Sequence, residues 1–451
     1  MSLQSGTSAD GIDVAVVDVD LDARASGDGV AAPAGLAFRI TPVLLRTVDW
    51  DEPLRADILD AALGGAIDAG AWCRLDNRLG RAFAEAAAVV VAEASAGDPD
   101  AATTAANDSA PDLVVSHGQT VHHWVEGGRV HGTTQLGEPA WIAERLDAPV
   151  LSHLRAADIA AGGGGAPLMA VFDRLWLGEQ ARTAGRAIAT VNLGGIANVQ
   201  VVHPDGAVTA FDSGPGNALL DEAVARASGG ERTYDDGGRI AAAGRVHEAL
   251  LADLSAHPYF AAPAPKTTGR ETFHLGVVDA AAARVGAEAI TPADLLATLV
   301  ELTARTVVDS LADGGAADAG APADAAELIV SGGGALNPLL LGRIRDLAGA
   351  AGIRVVSSAD RGIDPAFKES IMFALLGALS WHGVPVTIQG PEARIAGRLS
   401  PGPRGLALPE PLGPATLGTA AHGAAASVVV IPPPGTPADL EPVPASEGGT
   451  R

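Results

Sequence analysis

The chain has 451 residues with 54 acidic and 30 basic side chains, which gives a net charge of −24. This length exceeds what one hydrophobic core usually serves and predicts two domains, and the negative charge argues against nucleic acid as a partner. One cysteine, Cys73, excludes an intrachain disulfide, and with no signal-peptide pattern and no apolar run of transmembrane length the sequence predicts a cytoplasmic protein without a membrane partner.

Strands and helices alternate in the first part of the chain. The predicted strands are residues 11–21, 38–50 and 149–154, and the predicted helices are residues 52–63, 71–95 and 138–148. The strands have β-branched alternation, and the helices have i, i+3, i+4 apolar spacing. The segment DLVVSHGQT, residues 112–120, is predicted as an apolar strand that runs into a polar turn.

The second part repeats this plan. The predicted strands are residues 186–195, 196–204, 207–216, 326–331 and 353–358, and the predicted helices are residues 219–230, 292–313, 339–352 and 365–383. Two α/β halves of this kind suggest a duplicated fold with a cleft between the halves. From about residue 401 the chain is rich in Pro, Gly and Ala, which predicts a disordered tail in which only SVVVI, residues 427–431, can dock as a strand.

Four glycine-rich turns lie at the ends of predicted strands: SGTSADGID, NLGGIAN, DSGPGN and SGGGALNP. Glycine lets main-chain N–H groups approach phosphate, and open α/β sheets bind ligands beyond the carboxyl ends of their strands. The sequence contains neither the GxxxxGK[ST] pattern of a P-loop nor a strand-linked GxGxxG. A nucleotide site divided between the two halves accounts for the four turns together.

Seven ordered motifs give the chain its resemblance to a known family. They are SGTSADGID, SHGQTVHH, RAADIAAGGGGAPL, NLGGIANV, FDSGPGNALLD, PKTTGRETF and SGGGALNP. Through them, over about residues 4–400, the chain resembles the anhydro-N-acetylmuramic acid kinases, members of the sugar-kinase, Hsp70 and actin superfamily.

The resemblance implies an α/β fold of two duplicated actin-like ATPase domains, of the RNase H-like type, with an interdomain cleft. The expected domains are residues 1–183 and 184–400, followed by the tail at 401–451. The implied activity takes 1,6-anhydro-N-acetylmuramic acid, ATP and water to N-acetylmuramic acid 6-phosphate in murein recycling. Mg²⁺ is expected with ATP, and a homodimer is implied as well.

The chemistry of this substrate requires a base. O6 is tied to C1 in the anhydro bridge, so water has to attack C1 while O6 leaves and takes the γ-phosphoryl group. A carboxylate within reach of that water can supply about 10²- to 10⁴-fold in rate. The resemblance assigns this role to Asp158, for which a helix-capping carboxylate is the alternative interpretation.

The resemblance also implies the remaining site residues. The expected sugar-binding residues are Arg155, Glu369, His117 and Gln119. The expected nucleotide-binding residues are Gly6, Thr7, Ser8, Ala9, Asp10, Gly11, Ile12, Asp13, Gly194, Gly195, Asp212, Gly332, Gly333 and Gly334. Asp10, Asp13 and Asp212 are the candidate Mg²⁺ ligands.

Three departures from the family pattern bear on activity. Only MSLQ precedes SGTS where the family has a full strand, His153 begins HLR in place of DFR, and Gly164 stands where the family has Gln. Altered nucleotide affinity and altered sugar contacts are therefore expected. The alternatives are a related kinase for a levoglucosan-like anhydro sugar and a non-metabolic nucleotide-binding scaffold of the actin and Hsp70 type.

Overall fold

The computed structural model describes residues 1–6, 9–23, 36–62, 64–65, 67–97, 110–269, 271–312, 325–389, 392–412 and 426–431. The chain divides into two compact units: Met1–Leu175 with Glu369–Thr436, and Trp176–Lys368 with Pro437–Arg451. Both units are mixed α/β and each has its own sheet, which confirms the predicted fold class at that level.

The elements, in chain order, have the following bounds. The strands are β1 Ser2–Ser5, β2 Ile12–Ala23, β3 Leu36–Val48, β4 Val114–Glu126, β5 Arg129–Leu136, β6 Val150–Ser152, β7 Ala187–Leu193, β8 Ile196–Val202, β9 Val208–Pro215, β10 Ala325–Ser331, β11 Arg354–Ser357, β12 Arg398–Ser400 and β13 Ala426–Val430. The helices are α1 Glu52–Ala62, α2 Ala69–Gly97, α3 Pro139–Leu146, α4 Ala156–Ala160, α5 Met169–Ala184, α6 Ala218–Ala227, α7 Arg239–Ala242, α8 Glu248–Ser255, α9 Pro258–Ala261, α10 Leu275–Val285, α11 Pro292–Ala312, α12 Pro338–Ala350 and α13 Lys368–Trp381.

The sheet of the first unit has the order β12-β6-β4-β1-β2-β3-β13, and β5 pairs with β4. Strands β1, β2 and β3 form an antiparallel meander, whereas β4 is parallel to β1 and β6 is parallel to β4. The short β1 lies between β2 and β4 and is buried along its length. Phe83 of α2 and Ile58 of α1 are buried in the core that these helices build on the sheet.

Helix α13 accounts for one difference between the two units and the predicted domains. A Cβ on Gly377 would lie 2.2 Å from a methyl group of Val115, and the hydroxyl of Ser2 donates to the carbonyl of Ser370 at 2.8 Å. This helix therefore packs on β1 and β4, whereas the predicted second domain, residues 184–400, includes it.

The predicted turn at SHGQT is wrong, because β4 continues through it and forms a hairpin with β5. Gly118 adopts φ +74 within the strand, and a Cβ there would lie 2.6 Å from the carbonyl oxygen of Leu136. The strand accommodates this irregularity because the residue is glycine. Its polar side chains, including Gln119 and Thr120, are buried instead of forming an exposed turn.

The sheet of the second unit has the order β11-β10-β7-β8-β9. Strands β7, β8 and β9 form an antiparallel meander, β10 is parallel to β7, and β11 is parallel to β10. The buried Val191 and Val199 of this sheet share a core with Leu299 of α11. In both units, a three-stranded meander is thus continued by two parallel strands on the side of its first strand.

The segment SVVVI docks as a strand, since β13 pairs in parallel with β3. Residues 413–425 and 432–451 of the predicted disordered tail lie outside the described residues. None of the described helices combines the length and the hydrophobicity that a membrane crossing requires.

Candidate active site

The turn between β1 and β2 contains the first predicted phosphate loop. The carbonyl oxygen of Gly6 accepts hydrogen bonds from the Ala9 N–H and from Nε2 of Gln119, each at 3.1 Å. Gln119 was predicted to bind the sugar, and its Nε2 donates to this turn and to the Thr120 carbonyl. Thr7 and Ser8, also predicted to bind nucleotide, lie outside the described residues.

The second half of this turn is fixed by its neighbours. Ala9 is buried at φ +50, and its carbonyl accepts a hydrogen bond from Nε of Arg55 at 2.8 Å. A Cβ on Gly11 would lie 2.6 Å from Cγ2 of Thr47, so β3 leaves no space for a side chain there. Ile12 is a core side chain, 2 % exposed, and can contribute only its main chain to a nucleotide site.

The two aspartates of the turn have different surroundings. Asp13 accepts hydrogen bonds from Gln4 at 2.8 Å and from Thr47 at 2.6 Å, while burial raises the pKa of its carboxyl group. Asp10 has a side chain that is 76 % exposed, and Arg55 lies 3.7 Å away. Asp10 is therefore the carboxylate of this turn that can face a ligand.

Asp158 lies in the short helix α4 and is 2 % exposed. Its Oδ2 accepts a hydrogen bond from the Gly165 N–H at 2.9 Å, and its Oδ1 accepts one from the Gln389 N–H at 3.2 Å. These donors come from the glycine-rich turn after α4 and from the loop after α13. These two hydrogen bonds hold the carboxylate in one orientation. A helix-capping carboxylate would accept from N–H groups in the first turn of its helix, whereas these two donors lie outside the first turn of α4.

Arg155 and His117 form a pair whose proton positions are determined by the hydrogen bonds. Nε of Arg155 can only donate, so Nε2 of His117 must accept at 3.1 Å, and the proton lies on Nδ1, which donates to the Gly118 carbonyl at 3.1 Å. Nη1 of Arg155 donates to the Gly165 carbonyl at 2.8 Å. Gly165 is thus held by Arg155 at its carbonyl and by Asp158 at its N–H.

The electrostatics of this pair keep the histidine neutral. Burial, and secondarily the charge of Arg155, hold the pKa of His117 well below its usual range. Burial also lowers the pKa of Arg155 to about 10, an effect that the carboxylate of Glu369 partly offsets. At neutral pH the site therefore contains a charged guanidinium, a neutral imidazole and, in the first turn of α13, the acidic Glu369.

The neutral His117 should make the stability of the protein depend on pH. The unfolded chain takes up a proton at this residue near pH 6.5 and the folded chain resists it, so stability is lost as the pH falls from 6.5 towards the lower pKa of the folded state. In His117→Gln the carboxamide oxygen still accepts from Arg155, but nothing titrates. Between pH 7 and pH 5 the thermal midpoint should therefore fall less in this variant than in the wild type, by a few °C. This corresponds to a difference in the free energy of unfolding on the order of 1 kcal/mol.

The control for this measurement is His122→Gln, the same chemical change at an exposed position, followed over the same pH range. Equal pH dependence in His117→Gln and the wild type would contradict the assignment of a suppressed pKa to His117.

In the second unit, the predicted turn Asn192–Asn198 connects β7 to β8. The carbonyl of Gly194 accepts from the Asn217 N–H at 2.8 Å, and that of Gly195 accepts from the Gly216 N–H at 2.9 Å. A Cβ on Gly216 would lie 2.3 Å from the Gly194 carbonyl. The turns NLGGIAN and DSGPGN therefore pack directly on each other.

Asp212 organises the PKTTGR loop. Its Oδ1 accepts from Nδ2 of Asn198 at 2.7 Å, and its Oδ2 accepts from the Thr267 hydroxyl at 2.8 Å and the Thr268 N–H at 2.9 Å. Lys266 supports the same loop, since its Nζ donates to the carbonyl oxygens of Tyr259 and Phe260 at 3.1 and 3.0 Å. Both carboxylate oxygens of Asp212 are thus used in protein hydrogen bonds.

The third predicted nucleotide turn, Gly332–Gly334, follows β10. Gly332 adopts φ +85 and ψ 171, and a Cβ there would lie 2.3 Å from Oδ1 of Asn192 and 2.8 Å from the main chain of Leu193. A Cβ on Gly334 would lie 2.7 Å from Cβ of Leu193. This turn therefore packs on the start of the β7–β8 turn, which brings two of the predicted nucleotide motifs together within the second unit.

A magnesium ion fits only one of the three candidate ligands without a change in hydrogen bonding. Asp13 and Asp212 are bonded on both oxygens, whereas Asp10 is exposed. Among the described residues, no group of three His, Cys, Asp or Glu side chains could hold a metal ion. Mg²⁺ on nucleotide phosphates keeps water and phosphate oxygens as most of its ligands, so one exposed carboxylate suffices.

Several residues that shape the site were not predicted from the sequence. They are Gln4, Thr47 and Arg55 around the first turn, Thr267 and Thr268 at Asp212, and Gln389 at Asp158. The PKTTGR motif was a signal for the two threonines. The other four residues lie outside the quoted motifs.

Comparisons with known proteins agree with the motifs. The model of the anhydro-N-acetylmuramic acid kinase family matches residues 1–397. Relatives named anhydro-N-acetylmuramic acid kinase include one from Rhodococcus erythropolis, 41% identical over 90% of this chain and 95% of the relative. Those from Streptomyces avermitilis and Streptomyces coelicolor are 42% and 43% identical, over 91% and 92% of this chain and 96% of each relative.

One solved structure, an activator of 2-hydroxyisocaproyl-CoA dehydratase from Clostridium difficile with bound ADPNP, has a TM-score of 0.33 and 13% identity, over 64% of this chain and 80% of that chain. A similarity this low carries no argument about this chain. The family match spans all seven motifs. The chain belongs to the anhydro-N-acetylmuramic acid kinase family.

Proposed function

We propose that this protein is an ATP-dependent kinase that opens the 1,6-anhydro bond of anhydro-N-acetylmuramic acid and phosphorylates O6, within murein recycling. Family membership supports the kinase and its substrate. The structural observation that carries the hydrolytic step is Asp158, a buried carboxylate whose two oxygens are oriented by main-chain N–H groups.

Asp158 acts on water in this proposal. It takes a proton from a water molecule as the water oxygen bonds to C1, and the C1–O6 bond breaks with its electron pair moving to O6. O6 then bonds to the γ-phosphorus, and the bond to the β-phosphate oxygen breaks to release ADP. A carboxylate oxygen that accepts one N–H can accept a second hydrogen bond, so the main-chain donors are compatible with this role.

Arg155 supplies the positive charge for the carboxylate of the sugar. It remains charged at neutral pH, and His117 and Gly165 fix its guanidinium through Nε and Nη1. Glu369, whose charge acts on Arg155, is proposed to contact the sugar from the start of α13.

The glycine turns of each unit are its proposed nucleotide-binding segments. Gly6 and Gly11 in the first unit, and Gly194, Gly195, Gly333 and Gly334 in the second, have no side chain that would keep phosphate oxygens from the main chain. The N–H of Gly332 already donates to the Pro365 carbonyl at 2.8 Å. Asp10 would hold Mg²⁺, which neutralises phosphate charge when bound. The functions of Asp13 and Asp212 in this proposal are to fix their loops.

We also infer that the two units are duplicated actin-like domains. The shared strand order, a meander continued by two parallel strands, supports this. A cytoplasmic location, a homodimer, an interdomain cleft and the absence of nucleic acid or membrane partners stay predictions.

The test uses the purified chain with ATP in ¹⁸O-labelled water, with and without the anhydro sugar. We expect ADP formation only with the sugar, and a phosphorylated product that contains ¹⁸O at C1 at early times and none in its phosphate. ADP formation without sugar, with label in free phosphate, would favour the scaffold alternative.

Levoglucosan, tested in parallel, should be turned over at least about 10²-fold less efficiently, because buried groups for the missing amide and carboxylate stay unpaired.

A further inference from the structure

The loop after α13 reaches the catalytic carboxylate. Val386 and Arg394 exchange main-chain hydrogen bonds of 2.8 and 2.9 Å, which closes the base of this loop. Between them, the Gln389 N–H donates to Oδ1 of Asp158. Gln389 is therefore anchored by its main chain at the residue that the proposed function makes the base.

The side chain of Gln389 lies against Gly164, in the glycine-rich turn after α4. A Cβ on Gly164 would lie 1.9 Å from Oε1 of Gln389 and 3.1 Å from its Cδ. Gly164 directly precedes Gly165, whose N–H donates to Oδ2 of Asp158. The carboxamide thus covers the bare face of the turn that orients the base.

Main chain and side chain of Gln389 have separable functions. The main-chain N–H orients Asp158 whatever the side chain is. The residue is exposed, so its carboxamide, with one acceptor oxygen and two N–H donors, does not belong to the core. A polar, solvent-accessible group next to a catalytic carboxylate is placed to meet the substrate.

We propose that the carboxamide of Gln389 hydrogen-bonds a polar group of the anhydro sugar, and that Gly164 lacks a side chain so that this carboxamide can occupy the space above it. Gln389 is then a substrate-positioning residue for the sugar. This inference rests on the proposed function.

The first variant is Gln389→Ala, which keeps the N–H to Asp158 and removes only the carboxamide. Loss of about one to two hydrogen bonds should raise KM for the sugar about tenfold, with KM for ATP and the thermal midpoint unchanged. The matched control is Glu392→Ala, an exposed residue of the same loop whose described ion pair is with Arg394. It should leave KM for the sugar unchanged.

The second variant approaches the contact from its other side. Gly164→Ala introduces a methyl group where Oε1 of Gln389 lies, so it should displace the carboxamide and raise KM for the sugar by a similar factor. Because both changes remove one contact, Gly164→Ala combined with Gln389→Ala should be no worse than either alone.

Wild-type KM for the sugar in Gln389→Ala would overturn the inference. So would a KM in the double variant that is raised by the product of the two single-variant factors. Both outcomes leave the proposed function intact, because they require sugar-dependent turnover. Failure of the proposed function is seen separately, as absence of that turnover in the wild type.

Discussion

Asp158→Asn should abolish ring opening and phosphoryl transfer together, with a loss in kcat of at least about 10²-fold. The amide has nearly the size of the carboxylate but cannot take a proton from water. Coupling of the two losses is the decisive feature, because a kinase that only phosphorylates a free hydroxyl has no ring to open. The measurement follows the anhydro sugar, the phosphorylated product and ADP in one reaction.

The hydrogen bonds of Asp158 indicate that Asp158→Asn also lowers stability, an effect that the measurement must separate from the loss of catalysis. Both carboxylate oxygens accept main-chain N–H groups, so the NH₂ group that the substitution introduces would face the N–H of either Gly165 or Gln389, donor against donor. An unpaired buried donor costs about 1–3 kcal/mol. Thermal unfolding should therefore show a lower midpoint, and the kinetics should be measured well below it.

Two further variants make the conclusion about the base specific. Asp57→Asn is the same chemical change at an exposed ion pair with Arg78, and it should leave kcat unchanged. In Asp158→Ala, formate should restore part of the activity if a missing base is the cause. Formation of the phosphorylated product at a near wild-type rate by folded Asp158→Asn would remove Asp158 from the mechanism.

The regular elements of the fold could be predicted from local patterns. The meander β7–β9 alternates apolar and β-branched residues, and α11 has strong helical spacing. Helix α12 begins where Asn337 caps the N–H groups of Leu339 and Leu340, with Pro338 in the first turn. In these segments the local preference and the tertiary packing agree.

Prediction failed where long-range packing overrides the local pattern. The polar SHGQT segment is buried inside β4 because β1 and β5 pair with it on either side. The helices α7, α8 and α9 were not predicted, since each spans only four to eight residues. Helix α10 was missed as well, although its buried Leu275, Val278 and Ala282 have helical spacing. The location of α13 with the first unit depends on close packing against Val115, which no local pattern encodes.

The candidate site divides in the same way. Asp158, Arg155 and the glycine turns could be located because they lie in motifs of the family. Their partners could not, because the contacts join distant parts of the chain: Gln389 is 231 residues from Asp158, and Gln119 is 113 residues from Gly6. Hydrogen bonds between residues so far apart in the sequence are determined by the assembled fold, so no motif spacing predicts them.

Gly332→Ala should weaken ATP binding by at least about tenfold and destabilise the second unit. The φ of +85 with ψ 171 is a conformation that essentially only glycine adopts, and forcing another residue into it costs about 1–3 kcal/mol. The added methyl group would also meet Oδ1 of Asn192 at 2.3 Å and the main chain of Leu193 at 2.8 Å. Main-chain atoms cannot yield as a flexible side chain can, so the turn has to move away from the β7–β8 turn.

That displacement separates two of the proposed nucleotide turns, which is why affinity should fall together with stability. Gly342→Ala in α12 is the matched control: nothing lies within 4 Å of its Cβ, and alanine in a helix interior should stabilise by about 0.5–1 kcal/mol. Calorimetric titration with ATP, at a temperature where both variants are folded, gives the affinities, and thermal unfolding gives the stabilities. If Gly332→Ala is less stable than the wild type but binds ATP with the same affinity, the Gly332–Gly334 turn supports the fold of the second unit and does not bind the nucleotide.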